Sequence, residues 1–147
     1  MSKEKLIKAL NDDLALELAA ITQYMWHHVM AEGMESPEIS EMFRKIAIDE
    51  MKHAEKLAER INYLGGIPVT KPAEIKVGGD LKKMIKDDLD GERMAIKQYK
   101  QHMKLAEELG DPVSKRILED IIMDEEEHDD KFSAILGIKT LAEEGQK

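Results

Sequence analysis

One stretch of this chain returns. Glu17-Leu18-Ala19-Ala20-Ile21-Thr22-Gln23-Tyr24 reappears 75 positions later as Glu92-Arg93-Met94-Ala95-Ile96-Lys97-Gln98-Tyr99. The same step carries Ser36-Pro37 onto Asp111-Pro112, His27 onto His102, and Asp49-Glu50-Met51-Lys52-His53 onto Asp124-Glu125-Glu126-Glu127-His128. An unbroken offset through so many positions marks an internal duplication. A duplicated chain of 147 residues has room for two like halves around one core.

Each half reads as a helical hairpin. Breaks are few: Gly33 with Ser36-Pro37, the stretch from Gly65-Gly66-Ile67-Pro68 to Gly78-Gly79-Asp80, Gly110-Asp111-Pro112, and Gly137. Ser36 and Asp111 are good helix N-caps, each followed by proline at the first helical position. The four segments between breaks, 3–32, 37–64, 81–109 and 112–136, carry apolar residues at steps of three and four. Leu10, Leu14, Ile21 and His28 form one seam, and Phe43, Ile46, Leu57 and Leu64 a second. Ile85, Leu89, Ile96 and Met103 form the third, and Leu118, Ile121, Phe132 and Ile135 the fourth. Two short turns and one long middle connection predict an all-α antiparallel four-helix bundle with a crossover between helices two and three. It occupies residues 1–137 as one domain and leaves 138–147 as a short C-terminal tail.

Composition removes several functions. The formal charge of -9 disfavours a nucleic-acid partner, whose phosphates need a basic face, and suits attraction of cations. The absence of cysteine excludes disulfides, thiolate zinc sites and iron–sulfur clusters. The N-terminus lacks the unbroken apolar run of a signal peptide, and no stretch reaches bilayer-spanning length. A cytoplasmic protein without a membrane partner is expected.

The seams carry six polar interruptions at matching places. Glu17 falls between Leu14 and Ile21, and Glu92 between Leu89 and Ile96. Glu50 and His53 interrupt the second seam; Glu125 and His128 interrupt the fourth. A buried, unpaired carboxylate is costly, so six such positions need a common reason. The midpoint of Glu17 and Glu50 falls at Gly33, and that of Glu92 and Glu125 just before Gly110, so both pairs lie at about one height. Each Glu-x-x-His pair is separated by about 4.5 Å along its helix and about 60° around it, so both side chains reach one point. Four helices thus direct Glu, Glu-x-x-His, Glu and Glu-x-x-His at one centre, the pattern of a dinuclear carboxylate site. Four carboxylates and two neutral imidazoles balance two ferrous ions, and this ligation fits iron or manganese better than structural zinc. Glu50 and Glu125 are expected to bridge the metals, with Glu17 and His53 completing one coordination sphere and Glu92 and His128 the other.

Neighbouring residues suggest support for that centre. Tyr24 and Tyr99 lie one heptad beyond Glu17 and Glu92 on the same seams, and a buried phenol seeks a partner such as a ligand carboxylate on another helix. Asp49 and Asp124, each just before a ligand glutamate, are placed to orient a histidine across the site or to stay solvated. His27 and His102 read as packed or surface histidines, not as ligands.

At these residues the sequence resembles the bacterioferritin branch of the ferritin-like di-iron carboxylate superfamily. The matching pattern is Glu17 with Ala20-Ile21 and Gln23-Tyr24, then Asp49-Glu50-Met51-Lys52-His53-Ala54, then Glu92, then Asp124-Glu125 to His128. The resemblance runs from about residue 3 to 137. It implies a ferroxidase that oxidises Fe(II) with dioxygen or hydrogen peroxide for iron storage or detoxification, using two irons per subunit. It also implies a homo-oligomer, a dimer or a closed shell, and a haem b held between two copies of Met51. Rubrerythrins carry a further glutamate where this chain has Ala95, and the miniferritins of starved cells build their site between subunits. Peroxide reduction by the same centre, or a non-enzymatic haem- or metal-binding bundle, are the competing functions. The tail after Gly137 is shorter than the fifth helix of bacterioferritins, about two turns at most. A smaller shell or a plain dimer is therefore as compatible with the sequence as a 24-subunit particle.

Overall fold

The computed structural model describes residues 2–145. In it the chain forms helices α1 (Ser2–Met30), α2 (Ser36–Tyr63), α3 (Leu81–Glu108), α4 (Pro112–Leu136) and α5 (Leu141–Glu144). The four long helices agree with the expected segments to within two residues at either end. None of the described helices is long and apolar enough to cross a membrane.

The helix ends follow their local chemistry, with one correction. Asp111 caps α4 by accepting the Ser114 N–H, and Gly137 ends it in the left-handed conformation at φ 69°. Ser36, expected as an N-cap, is instead the first helical residue. Glu35 occupies the cap position without a side-chain bond. The reason is a turn closed by the Ser36 N–H on the Gly33 carbonyl at 3.1 Å, which winds the chain into the helix one residue early.

Tyr24 meets Glu92 and Tyr99 meets Glu17, so α1 and α3 run antiparallel. His53 meets Asp124 and His128 meets Asp49, giving the same relation between α2 and α4. Two apolar clusters fill the ends of the bundle. One contains Leu10, Leu14, Leu57, Ile61, Leu118 and Ile121. The other contains Phe43, Ile46, Met84, Ile85, Leu89 and Phe132, with the Tyr24, Phe43 and Phe132 rings 6.0–6.3 Å apart. Each such aliphatic or aromatic side chain contributes about 1.5–3 kcal/mol on burial. The polar seam residues lie between the clusters, at the waist, held from both sides by well-packed apolar layers.

Some seam positions differ from expectation. His27, not His28, is fully buried, because the inward face drifts with a period of 3.6 residues past Tyr24. His28 instead bonds the Ser40 carbonyl at 2.8 Å. Ile135 is 43% exposed and Leu64 only half-buried, since both sit where their helices end.

The crossover between α2 and α3 is strapped along α1. Asn11 donates to the Ile67 carbonyl and accepts the Val69 N–H. Ala73 N–H bonds the Ala15 carbonyl, Lys76 N–H bonds Gln23 Oε1 at 2.8 Å, and Gly78 N–H reaches His27 Nε2 at 3.4 Å. The tail forms one turn, not two, capped by a reciprocal Thr140–Glu143 box. Gln146 and Lys147, the last residues of the expected tail helix, lie outside the described residues. Arg93 clasps the tail: it bonds Asp129 Oδ1 at 2.9 Å, the Lys139 carbonyl at 2.6 Å and Glu144 Oε1 at 3.1 Å.

Candidate metal centre

All six polar seam residues converge. Glu17, Glu50, Glu92, Glu125 and His128 are at most 2% exposed and His53 is 6%. They fall into two sets, Glu17–Glu50–His53–Glu125 and Glu50–Glu92–Glu125–His128. In each set one donor atom per residue lies within 4.8 Å of the others, close enough to hold one metal ion. Glu50 and Glu125 belong to both sets.

Each imidazole turns Nδ1 to the centre and Nε2 away from it. His53 Nδ1 stands 3.4 Å from Glu50 and Glu125 and 3.6 Å from Glu17. His128 Nδ1 stands 3.3–3.6 Å from Glu92, Glu125 and Glu50. Their Nε2 atoms pair with carboxylates on the opposite helix: His53 with Asp124 at 2.7 Å, and His128 with Asp49 at 3.1 Å. An Nε2–H donated to a carboxylate fixes the tautomer that leaves the Nδ1 lone pair facing inward. Asp49 and Asp124 therefore orient histidines across the site, and are not merely solvated.

The tyrosines do the equivalent for the terminal glutamates. Tyr24 donates to Glu92 Oε1 at 2.6 Å, and Tyr99 donates to Glu17 Oε1. Burial, and then the Glu92 or Glu17 charge, pushes both phenols well above their ordinary range, so they remain donors. One oxygen of each glutamate is thereby engaged. The other, Oε2 of Glu17 and of Glu92, has no hydrogen-bond partner; neither have Glu50 Oε1, Glu125 Oε1 and His53 Nδ1.

These five buried atoms make the metal-free centre electrostatically uncomfortable. Burial, followed by repulsion from neighbouring carboxylates, raises the Glu50 and Glu125 carboxyls well above the usual range. Burial opposes charging the histidines. The oxygens of Glu125, Glu17 and Glu50 nevertheless hold the His53 proton far above its ordinary value. Those of Glu92, Glu50 and Asp49 raise His128 to about 9. Protons trapped this way stand where cations would neutralise the same charge.

A further pair of clusters escaped the sequence reading. Asp88 on α3, 1% exposed, accepts from Gln23 at 2.8 Å and pairs with His27 at 2.9 Å on α1. Asp13 on α1, also buried, accepts from Gln98 at 2.8 Å and pairs with His102 at 2.7 Å on α3. Asp13 and Asp88 obey the same 75-residue step as the ligands, and that was the available signal. His27 and His102 are packed histidines serving these aspartates.

The family model for Ferritin, described as a ferritin-like domain, matches residues 7–141. The chain is 42% identical over 127 residues to a bacterioferritin of Desulfovibrio desulfuricans, covering 86% of this chain and 71% of that one. It is 35% identical over 127 residues to a bacterioferritin of Brucella melitensis, covering 86% and 79%. Among solved structures, a ferritin-like di-iron carboxylate protein from Bacillus anthracis superposes with a TM-score of 0.89 at 32% identity, covering 92% of this chain and 98% of that one. The Desulfovibrio desulfuricans bacterioferritin, solved with its di-iron site in different catalytic states, superposes at 0.86 with 39% identity, covering 91% and 79%. The Rhodobacter capsulatus bacterioferritin, described with a metal-free dinuclear site and a haem iron on a crystallographic special position, gives 0.82 at 34%, covering 89% and 82%.

Proposed function

The chain belongs to the ferritin-like family, and from that premise we propose that its waist binds two irons and oxidises Fe(II) to Fe(III) for iron storage or detoxification. The observation that carries this reading is the set of five buried donor atoms without hydrogen-bond partners. Polar atoms buried in this way are unfavourable unless charge of the opposite sign is brought to them. Five of them around one point are tolerable in a structure built to receive cations there.

In this reading Glu17 and His53 would hold one ion and Glu92 and His128 the other, with Glu50 and Glu125 common to both. Tyr99 and Tyr24 engage one oxygen of Glu17 and of Glu92, and the other oxygen of each would be left for the ion. Asp124 and Asp49 hold the imidazoles in the ligating tautomer. Bound there, two ferrous ions supply one electron each, the pair needed to take dioxygen to peroxide or hydrogen peroxide to two waters. The buried carboxylates and histidines give up their protons as the ions enter. Met51 is 53% exposed on α2, and its thioether suits a haem b shared between two copies of the chain in a homo-oligomer. The homo-oligomer would be a dimer or a closed shell.

The experiment is aerobic addition of Fe(II) to metal-free protein, in successive portions, with the bound metal counted. Two ions per chain and repeated oxidation faster than in buffer are expected. A stoichiometry below two, or oxidation no faster than buffer, would overturn the reading.

A further inference from the structure

Beside the centre, a shielded ion pair joins the two helices that carry Glu92 and His128. Arg93, the residue after Glu92 on α3, donates from Nε to Oδ1 of Asp129, the residue after His128 on α4, at 2.9 Å. Neighbours on a helix point about 100° apart, so the pair stands next to the donors and not among them. The contacts 92–128 and 93–129 lie at one level of the hairpin. The first closes on the centre, with Glu92 Oε1 3.3 Å from His128 Nδ1, and the second closes on the outside.

The tail completes the pair. Arg93 Nη2 donates to the Ser133 hydroxyl at 3.2 Å and to the Lys139 carbonyl at 2.6 Å, and Nη1 donates to Glu144 Oε1 at 3.1 Å. Asp129 Oδ2 accepts the Leu141 N–H at 2.9 Å. The Arg93 and Asp129 side chains keep only 16% and 5% of their surface. A planar guanidinium fixed at several points and shielded from water holds its partners to one geometry, as a solvated lysine pair does not.

The 75-residue step places Leu18, Ala54 and Ala58 where the second hairpin has Arg93, Asp129 and Ser133, and all three belong to an apolar cluster. The first hairpin is braced from outside by the crossover, through Asn11, Ala15 and Gln23 of α1. The second has the tail in that place. Glu92 and Glu125 bring like charge to one set of donors, and a bridge beside them opposes the parting of α3 and α4.

We propose that Arg93 is a positioning residue for the Glu92–His128 side of the centre: its bridge to Asp129, braced by the tail, sets the spacing of α3 and α4 at which those two ligands close on an ion. This rests on the iron-binding reading above. It gives the short tail a task within its own chain, and it makes one metal position depend on a contact that the first hairpin builds from apolar side chains.

The test measures each metal position by itself, as Co(II) affinity by chelator competition and as the d–d spectrum of the bound ion. Full-length Glu17→Ala keeps the Glu92–His128 position, and full-length Glu92→Ala keeps the Glu17–His53 position. In the Glu17→Ala chain, Arg93→Leu should weaken binding about tenfold or more and shift the d–d bands. Arg93→Leu/Asp129→Ala leaves no unpaired charge and installs the residue types of Leu18 and Ala54; it should lose as much. In the Glu92→Ala chain, Arg93→Leu should bind within about twofold of its parent. Losses of similar size in both chains would overturn the proposal, by making the pair a general brace of the fold. Recovery of binding in the double variant would overturn it too, since only an unpaired Asp129 would then be at fault. Binding by Glu17→Ala/Arg93→Leu as tight as by Glu17→Ala would overturn it and leave the centre standing. Unaltered protein that binds no Co(II) would sink the centre and the inference together.

Discussion

The Asp88–His27 pair and the Asp13–His102 pair are the same chemistry placed twice, and they meet different surroundings. At the first, the crossover passes over the pair: Gly78 N–H reaches the histidine, Lys76 N–H reaches the supporting Gln23, and both pair members are fully buried. At the second no such strap is present among the described contacts, and the His102 side chain keeps 17% of its surface. Burial raises both aspartates, Asp88 to about 6. A duplicated sequence is thus not a symmetric molecule. Two hairpins need one connection, and where that connection lies it desolvates the copy of the pair beneath it and leaves the other open.

The sharpest way to break the comparison is at the centre, where the halves should be equivalent. Glu50→Ala or Glu125→Ala should abolish fast Fe(II) oxidation and both bound ions, because each residue contributes to both donor sets. Glu17→Ala and Glu92→Ala should each cost one ion only. Metal counting on the four variants checks this, and two ions in Glu50→Ala would refute the bridging assignment. Next in size is the strap. Asp88→Asn should cost about 3 kcal/mol of unfolding free energy, since it strips a partner from a fully buried histidine. Asp13→Asn should cost about 1 kcal/mol, because water can reach His102. Equal losses in denaturant titrations would show that the crossover adds nothing.

Asp124→Asn and Asp49→Asn test the halves at the histidines. Each should weaken metal binding by about 10–100-fold, by similar factors, measured by competition with a chelator. Protons give a smaller effect in ordinary buffers. The folded value for His128, about 9, lies above its ordinary 6.5. Its stabilisation is complete below about pH 6.5 and is lost as pH rises through about 9. Glu50 and Glu125, also raised, act in the same direction. Metal-free protein should therefore melt lower at pH 8.5 than at pH 6.5, while loaded protein changes less, so the Tm gap widens with pH. The smallest effect belongs to Gly91→Ala, which should stabilise the fold by about 1 kcal/mol through helix propensity alone. A loss of stability there would show that the bare position has a packing role.

The helices were legible because the chain punctuates itself so rarely, and the six donors because a repeat makes polar seam residues coincide. What escaped has a common cause. Asp12-Asp13, Asp87-Asp88 and His27-His28 are doublets of like residues, and neighbours on a helix point about 100° apart. Sequence shows that one of each doublet turns inward, but a small drift in the apolar face decides which. Asp13 is buried while Asp12 pairs with Lys8 at the surface. Arg93 carries no such sign in the sequence, because its partners, Asp129, Lys139 and Glu144, are far away along the chain.

Nearly every support of the centre crosses from one hairpin to the other. Tyr99 on the second holds Glu17 on the first, Tyr24 on the first holds Glu92 on the second, and the Asp–His pairs at Asp124 and Asp49 cross as well. A solitary hairpin would own a glutamate with no phenol to orient it and a histidine with no carboxylate behind it. Such a hairpin could complete its centre only by pairing with a second one, so the two halves are bound to each other by the site as well as by the core.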